Sequence, residues 1–533
     1  MKTIFSCVIT CLFPLIGFSQ VEPILYSDGP IPGVTVESPA GSGNFQPATI
    51  WQTGLYRVRN SPDKSYWAIR VNQTSASNNE YIVAGQGLAG VTVVHSQNDT
   101  ANVPMDSIPV FYISERALSI NDAGVIALGG SFASAATNDT IWRIEPGIGA
   151  TIVAQENNPA FQRPNGGGMF GNIGAPTISN TNRIAFDDAS GTEQAILWDN
   201  GLFLELAAEG SSLNNVAGRV VQNVQIGNAN AVQGGVFYFE NPGEDPVVSF
   251  NGDLDGDSSS DNFFAIRNEN TGNFEAFAGA GLSPDGRPLL SEPFGWIDGN
   301  GNDYIVPFSP TDMFAYLNGS LVAEAGGNVG GNVPGENWVA DDPVFLHSPV
   351  IALDMNSLGG YIIGGVTDNT ETFSAVGSSG NTTITKNQVI VYVAPDGTRT
   401  ELVRNGDEVT VDVDGTSEVR RIVTLGQQDS TIASFVDDTH MYFLAGTEFF
   451  AGTIPDDLFA RIELPGQGFL LGDMNCDGLL NLLDVAPFVL ALSKPDEYEA
   501  AFPGCPIEAA DIDGNGVINL VDVAPFVEVI SGF

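Results

Sequence analysis

The chain has 533 residues and a formal net charge of −45, from 64 acidic residues against 19 Lys and Arg. A chain this acidic lacks the basic surface that nucleic acids and anionic membranes attract, so we expect no nucleic-acid partner and regard an anionic membrane surface as a poor one. The length is sufficient for one large hydrophobic core and a small second domain.

The sequence opens with a short apolar segment. Residues 1–19 contain Lys2, an apolar run from Ile4 to Phe18 and small residues near the end of the segment. This pattern predicts a secretory signal peptide at 1–19, and therefore a secreted, extracellular or cell-surface protein. The run is shorter than a bilayer span needs, and no later run approaches that length, so we expect no membrane span.

Residues 20–465 consist of short apolar runs separated by Gly, Asn, Asp and Pro, which predicts many β-strands joined by tight turns. One sequence pattern recurs along this region. In it, an apolar-aromatic strand, such as IWRI, AILW or VIVYV, leads to a Gly turn and a second strand. Six copies are visible, and residues 421–464 could form a degenerate seventh. Such units leave strand edges exposed unless they close into a ring, so we predict a β-propeller of six to eight blades, with seven preferred. A string of β-sandwiches is the alternative.

The repeated residues have a structural interpretation. The recurring Gly residues are expected at turns that need positive φ or a close backbone approach. The aromatic residues Trp142, Trp198 and Tyr316 are expected to pack between blades and not to contact a ligand.

The front region carries no recognisable catalytic motif. His95, His347 and His440 are the only histidines, they lie far apart, and none has the spacing of a zinc ligand. Asp and Glu are too numerous for a catalytic pair to be chosen from the sequence, so the catalytic residues stay unknown. One acidic loop, NGDLDGDSSSD, is a candidate for a calcium site, with a solvated polar loop as the alternative. Its candidate ligands are Asp253, Asp255, Asp257 and Asp261.

The last part of the chain is a duplication. GDMNCDGLLNLLDVAPF at 472–488 and DIDGNGVINLVDVAPF at 511–526 match with an offset of 38 positions (511 − 473). Calcium prefers six to eight oxygen ligands, which a 12-residue loop supplies from positions 1, 3, 5, 7, 9 and 12. The sequence predicts two Ca²⁺ sites with ligands Asp473, Asn475, Asp477, the Leu479 carbonyl, Asn481 and Asp484, and Asp511, Asp513, Asn515, the Val517 carbonyl, Asn519 and Asp522.

Charge repulsion makes these ions a structural requirement. Residues 472–533 contain 11 acids and one Lys, a net charge of −10, and six of the carboxylates belong to the two loops. Two Ca²⁺ ions would change this charge to −6. Because the segment is short for an independent core, we expect metal binding to supply much of its folding free energy.

Each loop leads into an apolar segment that predicts a helix. Pro487 and Pro525 fall at equivalent positions, so both helices are expected to start late or to kink. Cys476 and Cys505 are the only cysteines after the signal segment, and in an oxidising exterior they are expected to form a disulfide. A free or intermolecular thiol is the alternative.

The paired DxNxDGxxNxxD loops with Asp at position 12 resemble a type I dockerin, in the planctomycete-type form that has a loop Cys and a YEAAFPGC-like linker. The resemblance covers residues 472–533, after a linker at 466–471. It implies a small α-helical domain with two EF-hand-like calcium loops, pseudo-twofold symmetry and docking onto a cohesin module, commonly in assemblies that degrade polysaccharides. Loop positions 10 and 11 face the partner in that family, and here they are Leu482, Leu483, Leu520 and Val521.

Three functions follow from these observations. The first is an interaction protein, in which the docking module attaches a propeller to an extracellular assembly linked to polysaccharide. The second is an enzyme, a glycoside hydrolase or lyase that uses carboxylates in the propeller channel. The third is a terminal module that only stabilises the protein or retains it at the cell surface.

Overall fold

The structure is a computed structural model of the whole chain, and the part that it describes includes most of residues 21–465 and much of residues 472–531. The described ranges are 21–37, 45–73, 80–96, 110–132, 139–188, 192–213, 221–223, 236–254, 263–267, 273–279, 283–286, 293–307, 312–331, 333–340, 349–377, 380–413, 415–426, 434–448, 456–465, 472–476, 482–502, 505, 507–510, 512 and 518–531. The predicted signal peptide and the predicted linker lie outside these ranges.

The chain divides into two compact units, Met1–Glu463 and Leu464–Phe533. The first unit is built from antiparallel sheets of four or more strands that follow one another along the chain, and seven such sheets are described. Each sheet is a blade of a β-propeller. The predicted propeller with seven blades is therefore confirmed, and the alternative of separate β-sandwiches is wrong, since residues from all seven sheets line one common cavity.

The first three blades follow each other without a break in topology. Their strands are β2 (Pro30–Glu37), β3 (Phe45–Asn60), β4 (Trp67–Gln73), β5 (Glu80–Gln86) and β6 (Ala89–Ser96) in the first blade, β7 (Val110–Ile120), β8 (Ile126–Phe132), β9 (Asp139–Glu145) and β10 (Gly149–Gln155) in the second, and β11 (Thr177–Ile178), β12 (Ile184–Asp188), β13 (Gln194–Asp199) and β14 (Leu202–Ala208) in the third.

The next three blades keep this pattern and add two separate hairpins, β24–β25 and β28–β29. Their strands are β15 (Val221–Asn223), β16 (Val236–Phe239), β17 (Val247–Leu254), β18 (Phe263–Arg267) and β19 (Phe274–Gly279) in the fourth blade, β20 (Pro293–Ile297), β21 (Asp303–Pro307), β22 (Phe314–Leu317) and β23 (Ser320–Glu324) in the fifth, and β26 (Ala352–Met355), β27 (Tyr361–Val366), β30 (Gln388–Val393) and β31 (Arg399–Arg404) in the sixth, with β24 (Asn328–Gly330), β25 (Val333–Asn337), β28 (Thr372–Gly377) and β29 (Gly380–Thr385) in the hairpins.

The seventh blade closes the ring with a strand from the other end of the unit. Strand β1 (Glu22–Tyr26) pairs antiparallel with β36 (Asp456–Glu463), which pairs with β35 (His440–Thr447). The short strand β34 (Phe435–Val436) and the hairpin of β32 (Glu408–Val413) and β33 (Thr416–Leu425) complete this sheet on the other edge of β35. The degenerate seventh repeat is thus a true blade, because β1 supplies the strand that its own sequence lacks.

The hydrophobic core lies between neighbouring blades. Ala185 of the third blade packs with Tyr238 and Phe250 of the fourth, whereas its neighbours Ile184 and Phe186 pack toward the second blade. Inner strands are therefore buried on both faces, which explains why they appear in the sequence as continuous apolar runs without alternation. The aromatic residues Trp142, Trp198 and Tyr316 are all buried, as predicted.

The second unit has a small core of its own and contains helices α1 (Val485–Ser493), α2 (Pro495–Ala501) and α3 (Val523–Ser531), with 3-10 turns at Leu482–Asp484 and Ile507–Ala510. Pro487 and Pro525 are the third residues of α1 and α3, within the first turn, where a backbone N–H has no intrahelical partner. The predicted late start is confirmed in both helices. Among the helices in the described ranges, none has the length and apolar character to cross a membrane.

Candidate functional site

The second unit brings together part of each predicted calcium loop. In the first loop, Asp484 is fully buried and its Oδ1 accepts the backbone N–H groups of Met474 and Asn475 at 2.9 and 3.3 Å. In the second, Oδ2 of the equally buried Asp522 accepts the Asn519 N–H at 2.9 Å. The carboxylate at loop position 12 thus accepts a backbone N–H group of a described residue of its own loop in both copies.

The other predicted ligands divide into two groups. Asp473 is described and buried, beside Cys476. The remaining ligand positions lie outside the described residues, and so do most of the acidic residues of the front candidate loop. Those positions are Asp477, Leu479, Asn481, Asp511, Asp513, Asn515 and Val517, and Asp255, Asp257 and Asp261. Asp253 is described only as part of the backbone of β17. In the described ranges no group of three or more acidic, His or Cys side chains is placed to hold a metal ion.

A disulfide and a stacked aromatic pair fix the fold of this unit. Cys476 and Cys505 are bonded, which confirms the predicted bridge. Phe488 and Phe526, which occupy equivalent positions in the two halves (526 − 488 = 38), stack with ring centroids 3.8 Å apart. The two halves therefore meet through the same residue of each copy.

The exposed apolar side chains of this unit also come in equivalent pairs. Leu482 and Leu520 are 79% and 81% exposed, and Leu483 and Val521 are 67% and 62% exposed. Val489 and Val527, six residues after Leu483 and Val521, are exposed as well. Each half thus presents the same apolar surface, at the positions that the sequence predicts for docking. We call these side chains the paired apolar surface.

The propeller has a cavity on its axis. Its volume is about 100 Å³, and the innermost strands of all seven blades contribute to the wall. The wall includes one residue from each blade in turn: Val58, Leu118, Thr177, Phe237, Trp296, Leu353 and Phe435. Sequence analysis did not identify these residues because they share no motif, only the same place in successive blades.

Turns that follow the innermost strands of neighbouring blades are linked by hydrogen bonds at one end of this cavity. The Asp63 N–H donates to Asp122 Oδ1 at 2.9 Å, and the Asp122 N–H donates to Asn180 Oδ1 at 3.0 Å. The Asn180 N–H continues to the Glu240 carbonyl at 3.1 Å. Hydrogen bonds between these polar turns therefore connect the first blade to the second, the second to the third and the third to the fourth.

The turn of the first blade also crosses to the fifth and sixth blades. Lys64, which is 4% exposed and has a φ of 63°, donates from Nζ to Asp354 Oδ2 at 2.6 Å and to the Met355 carbonyl. The Pro62 carbonyl accepts the side-chain N–H of Asn300 at 3.3 Å. This turn therefore occupies the end of the channel and joins blades that are distant in the ring.

Two carboxylates lie at this closed end, and both have donors around them. Asp354 accepts the Val436 N–H at 2.8 Å in addition to Lys64, and Tyr304 donates to Asp298 Oδ2 at 2.7 Å. Burial raises the pKa of Asp354, and the charge of Lys64 opposes that shift. These contacts tie both carboxylates into the network that joins the blades at this end of the channel.

A second buried acidic group lies in the third blade. Asp187 is 1% exposed, and within the described part of the chain neither of its carboxylate oxygens has a hydrogen-bond partner. It packs directly on Gly174, where a Cβ atom would lie 2.1 Å from Asp187 Oδ1. Burial, together with the charges of Asp188 and Glu193, raises the pKa of Asp187 to about 7. The neighbouring Asp188 is different, because it pairs with Arg163 at 2.5 Å.

Comparison with protein-family models finds no match for this chain, and neither does a sequence comparison with curated proteins. Solved structures with a similar arrangement include the β-propeller domain of the Trilobed protease from Pyrococcus furiosus, at 9% identity and a TM-score of 0.38, over 78% of this chain and 98% of that one. Others are an oligogalacturonate lyase in complex with manganese (10% identity, TM-score 0.39, 84% and 98% of the two chains) and polysaccharide lyase Uly1 (9% identity, TM-score 0.36, 83% and 98%). At such identities and scores we infer nothing about function from them.

Proposed function

We propose that the second unit is a calcium-dependent docking module that attaches the propeller to an extracellular or cell-surface assembly through a cohesin-like partner. The observation that carries this proposal is the paired apolar surface. Isolated exposed apolar residues are common on proteins and need no explanation. Here the exposed side chains occupy equivalent positions in both copies of the duplication, which gives a partner two matching apolar surfaces to contact.

The donor set supports the calcium part of the proposal. Each loop buries the carboxylate at position 12, and the loop sequences carry several further oxygen donors at the predicted ligand positions. Hard cations of the size of Ca²⁺ prefer such oxygens. The residues that would hold the two ions are those predicted for the two loops, and bound calcium would neutralise their mutual repulsion.

Binding of the partner tests the docking role. We expect the full chain to bind an immobilised cohesin-like module in calcium and to lose that binding in EDTA. Leu482→Glu combined with Leu520→Glu should weaken binding at least tenfold, because it places a charge on each half of the paired apolar surface. Leu202→Glu is the matched control, since Leu202 is 67% exposed on the propeller. Equal affinity of the double variant and the control would refute the docking surface.

We also propose that the propeller serves an assembly that binds or breaks down polysaccharide. The support is the resemblance of the second unit to a type I dockerin. A glycoside hydrolase or lyase that uses carboxylates in the propeller channel is the alternative, and Asp298 and Asp354 are the carboxylates on the cavity wall. Sugar release from a panel of polysaccharides separates the two: binding without release favours the interaction protein, and release favours the enzyme.

A further inference from the structure

The two proposed calcium loops offer matched donor sets. Each has Asp at positions 1 and 12, a third Asp at position 3 or 5, and Asn at the other side-chain positions, so each supplies three carboxylates. The affinity of such a loop for Ca²⁺ depends on the number of charged ligands and on the rigidity of the loop. Because the charges are equal, a difference in affinity between the two loops comes from rigidity.

The disulfide enters the first loop and not the second. Cys476 occupies position 4 of the first loop, between the predicted ligands Asn475 and Asp477, and is bonded to Cys505. The second loop has Gly514 at position 4, and the chain has no other cysteine outside the predicted signal peptide. Since Gly has the most backbone freedom to lose, the second loop gives up more conformational entropy when it orders around an ion.

The backbone of Cys476 has a conformation that needs support. Its φ is 52°, in the left-handed region that residues other than Gly, Asn and Asp rarely adopt. Such a conformation persists only where the surrounding structure holds it. Cys505 is 7% exposed and belongs to the core of the second unit, so the bond to it ties position 4 to that core.

The same bridge lies against the first predicted ligand. The Asp473 carbonyl oxygen is 3.9 Å from Sγ of Cys476 and 3.7 Å from Sγ of Cys505. Asp473 itself is 4% exposed. The preceding residue, Gly472, donates its N–H to the Ala509 carbonyl at 2.9 Å. The backbone at position 1 is thus held between the disulfide and the 3-10 turn that precedes the second loop.

Positions 2 and 3 of the first loop are held as well. The Met474 carbonyl accepts the hydroxyl group of the fully buried Tyr498 of α2 at 3.1 Å. The N–H groups of Met474 and Asn475 donate to the Asp484 carboxylate at position 12. The start of the first loop is therefore organised by the packed core of the unit and by the disulfide that closes it.

We propose that the bridge between Cys476 and Cys505 preorganises the first loop for Ca²⁺, so that calcium fills the first loop before the second. This inference rests on the proposed function, because it takes both loops as calcium sites. A site that is ordered before the ion arrives loses less conformational entropy on binding and so binds more tightly. The two halves of the docking module then differ in calcium affinity although their donor sets match.

Calorimetric titration of the full chain with calcium chloride tests this order. We expect two binding steps that differ roughly tenfold in affinity. Asp522→Asn leaves the first loop to be measured alone, and Asp484→Asn leaves the second. The tighter step should remain in the Asp522 variant and be absent from the Asp484 variant.

Removal of the bridge assigns its role. Cys476→Ser with Cys505→Ser should weaken the first loop roughly tenfold when combined with Asp522→Asn. Combined with Asp484→Asn, the same pair of substitutions is the matched control and should change the second loop by less than about twofold. Hydrogen exchange of the otherwise unaltered chain during a calcium titration covers the case in which a loop variant does not fold. Helix α1 should become protected at lower calcium than α3, and the difference should vanish without the bridge.

The outcomes separate this inference from the proposed function. Absence of calcium uptake by the parent would refute the proposed function, and this inference with it. Two sites of equal affinity, a common midpoint for α1 and α3 in the parent, or a first site unchanged by loss of the bridge would overturn the inference and leave the docking module in place. Equal losses at both sites would overturn it too, because the bridge would then stabilise the whole unit and not the first loop.

Discussion

Lys64 joins two blades that are distant in the ring through one buried side chain. It is one of only four lysines in the sequence, and its charge is buried against Asp354. Taking two charges out of water is costly, and the pair is retained because each ion compensates the other. Removing one partner leaves the other buried and uncompensated.

We predict that Lys64→Met destabilises the propeller by roughly 3 to 5 kcal/mol. Urea unfolding followed by tryptophan fluorescence measures this, because all six Trp residues belong to the first unit. Lys386→Met, at a half-buried position, should cost far less. The double variant Lys64→Met with Asp354→Asn should recover part of the loss, and a double variant as unstable as the single one would contradict the ion-pair explanation.

Asp187 predicts that the free energy of unfolding falls as the pH rises. An ordinary salt-bridged carboxylate has the opposite effect. Its folded-state pKa is about 7 against 3.8 in the unfolded chain, so between these values the folded state binds more protons. The contribution of Asp187 to the free energy of unfolding is therefore fully present below pH 4 and is lost as the pH rises to 7, by up to about 4 kcal/mol.

Asp187→Asn removes this titration. We expect the variant to be more stable than the parent at pH 8 and to exceed it by a much smaller margin at pH 5. Denaturant midpoints at the two pH values give the comparison, and Asp396→Asn, at an exposed turn, is the control that should show no such difference. A variant less stable than the parent at pH 8 would contradict the assignment of a buried, unpartnered carboxylate.

At the scale of elements, the propeller depends on the pairing of β1 with β36. Leu25 in β1 is 3% exposed and packs with Trp67, Tyr442 and Phe459 from the first and seventh blades. Without this strand, β36 would present an unpaired edge. A segment of five residues thus closes a sheet whose other strands lie more than 380 positions away.

We predict that Leu25→Ala lowers the free energy of unfolding by about 2 to 5 kcal/mol, because it leaves a cavity at the junction of the two blades. Leu88→Ala, at a position 47% exposed in the first blade, should change it by less than about 0.5 kcal/mol. Tryptophan fluorescence in urea measures both. Similar effects of the two substitutions would argue against a closing role for β1.

In the second unit, a disulfide links segments that are distant in the sequence, as the pairing of β1 with β36 does in the propeller. It joins Cys476 to Cys505, 29 positions apart. On the chain-entropy model, Cys476→Ala with Cys505→Ala should destabilise this unit by roughly 3 to 4 kcal/mol. Hydrogen exchange of α1 and α3 should become correspondingly faster, while peptides of the propeller serve as an internal control. Unchanged exchange in both helices would show that the bridge does not stabilise them.

At the scale of the whole molecule, the two units should respond differently to chelation. Each has its own core, and the calcium loops belong to the second unit alone. We predict that EDTA increases hydrogen exchange throughout α1 and α3 without changing the tryptophan fluorescence of the propeller. Calorimetry should detect two Ca²⁺ ions per chain, and Asp484→Asn or Asp522→Asn should each remove one. Identical exchange in calcium and in EDTA would remove the basis of the docking role.

The sequence alone determined the repeated strands, the preferred number of seven blades, the buried aromatic residues, the disulfide and the late helix starts. These features follow from local chemistry, such as apolar runs, turn residues, the missing N–H of Pro and the offset between two copies of a motif. The paired apolar surface was also visible in the sequence, as two pairs of apolar residues at equivalent loop positions.

Only the tertiary structure decided how the ring closes and what lies on its axis. Strand β1 and strand β36 are partners separated by hundreds of residues, as are Lys64 and Asp354, and no local pattern connects the members of either pair. The interactions of these residues depend on their burial away from water and on the distances between their charged groups. Both are set only when the seven blades pack against one another.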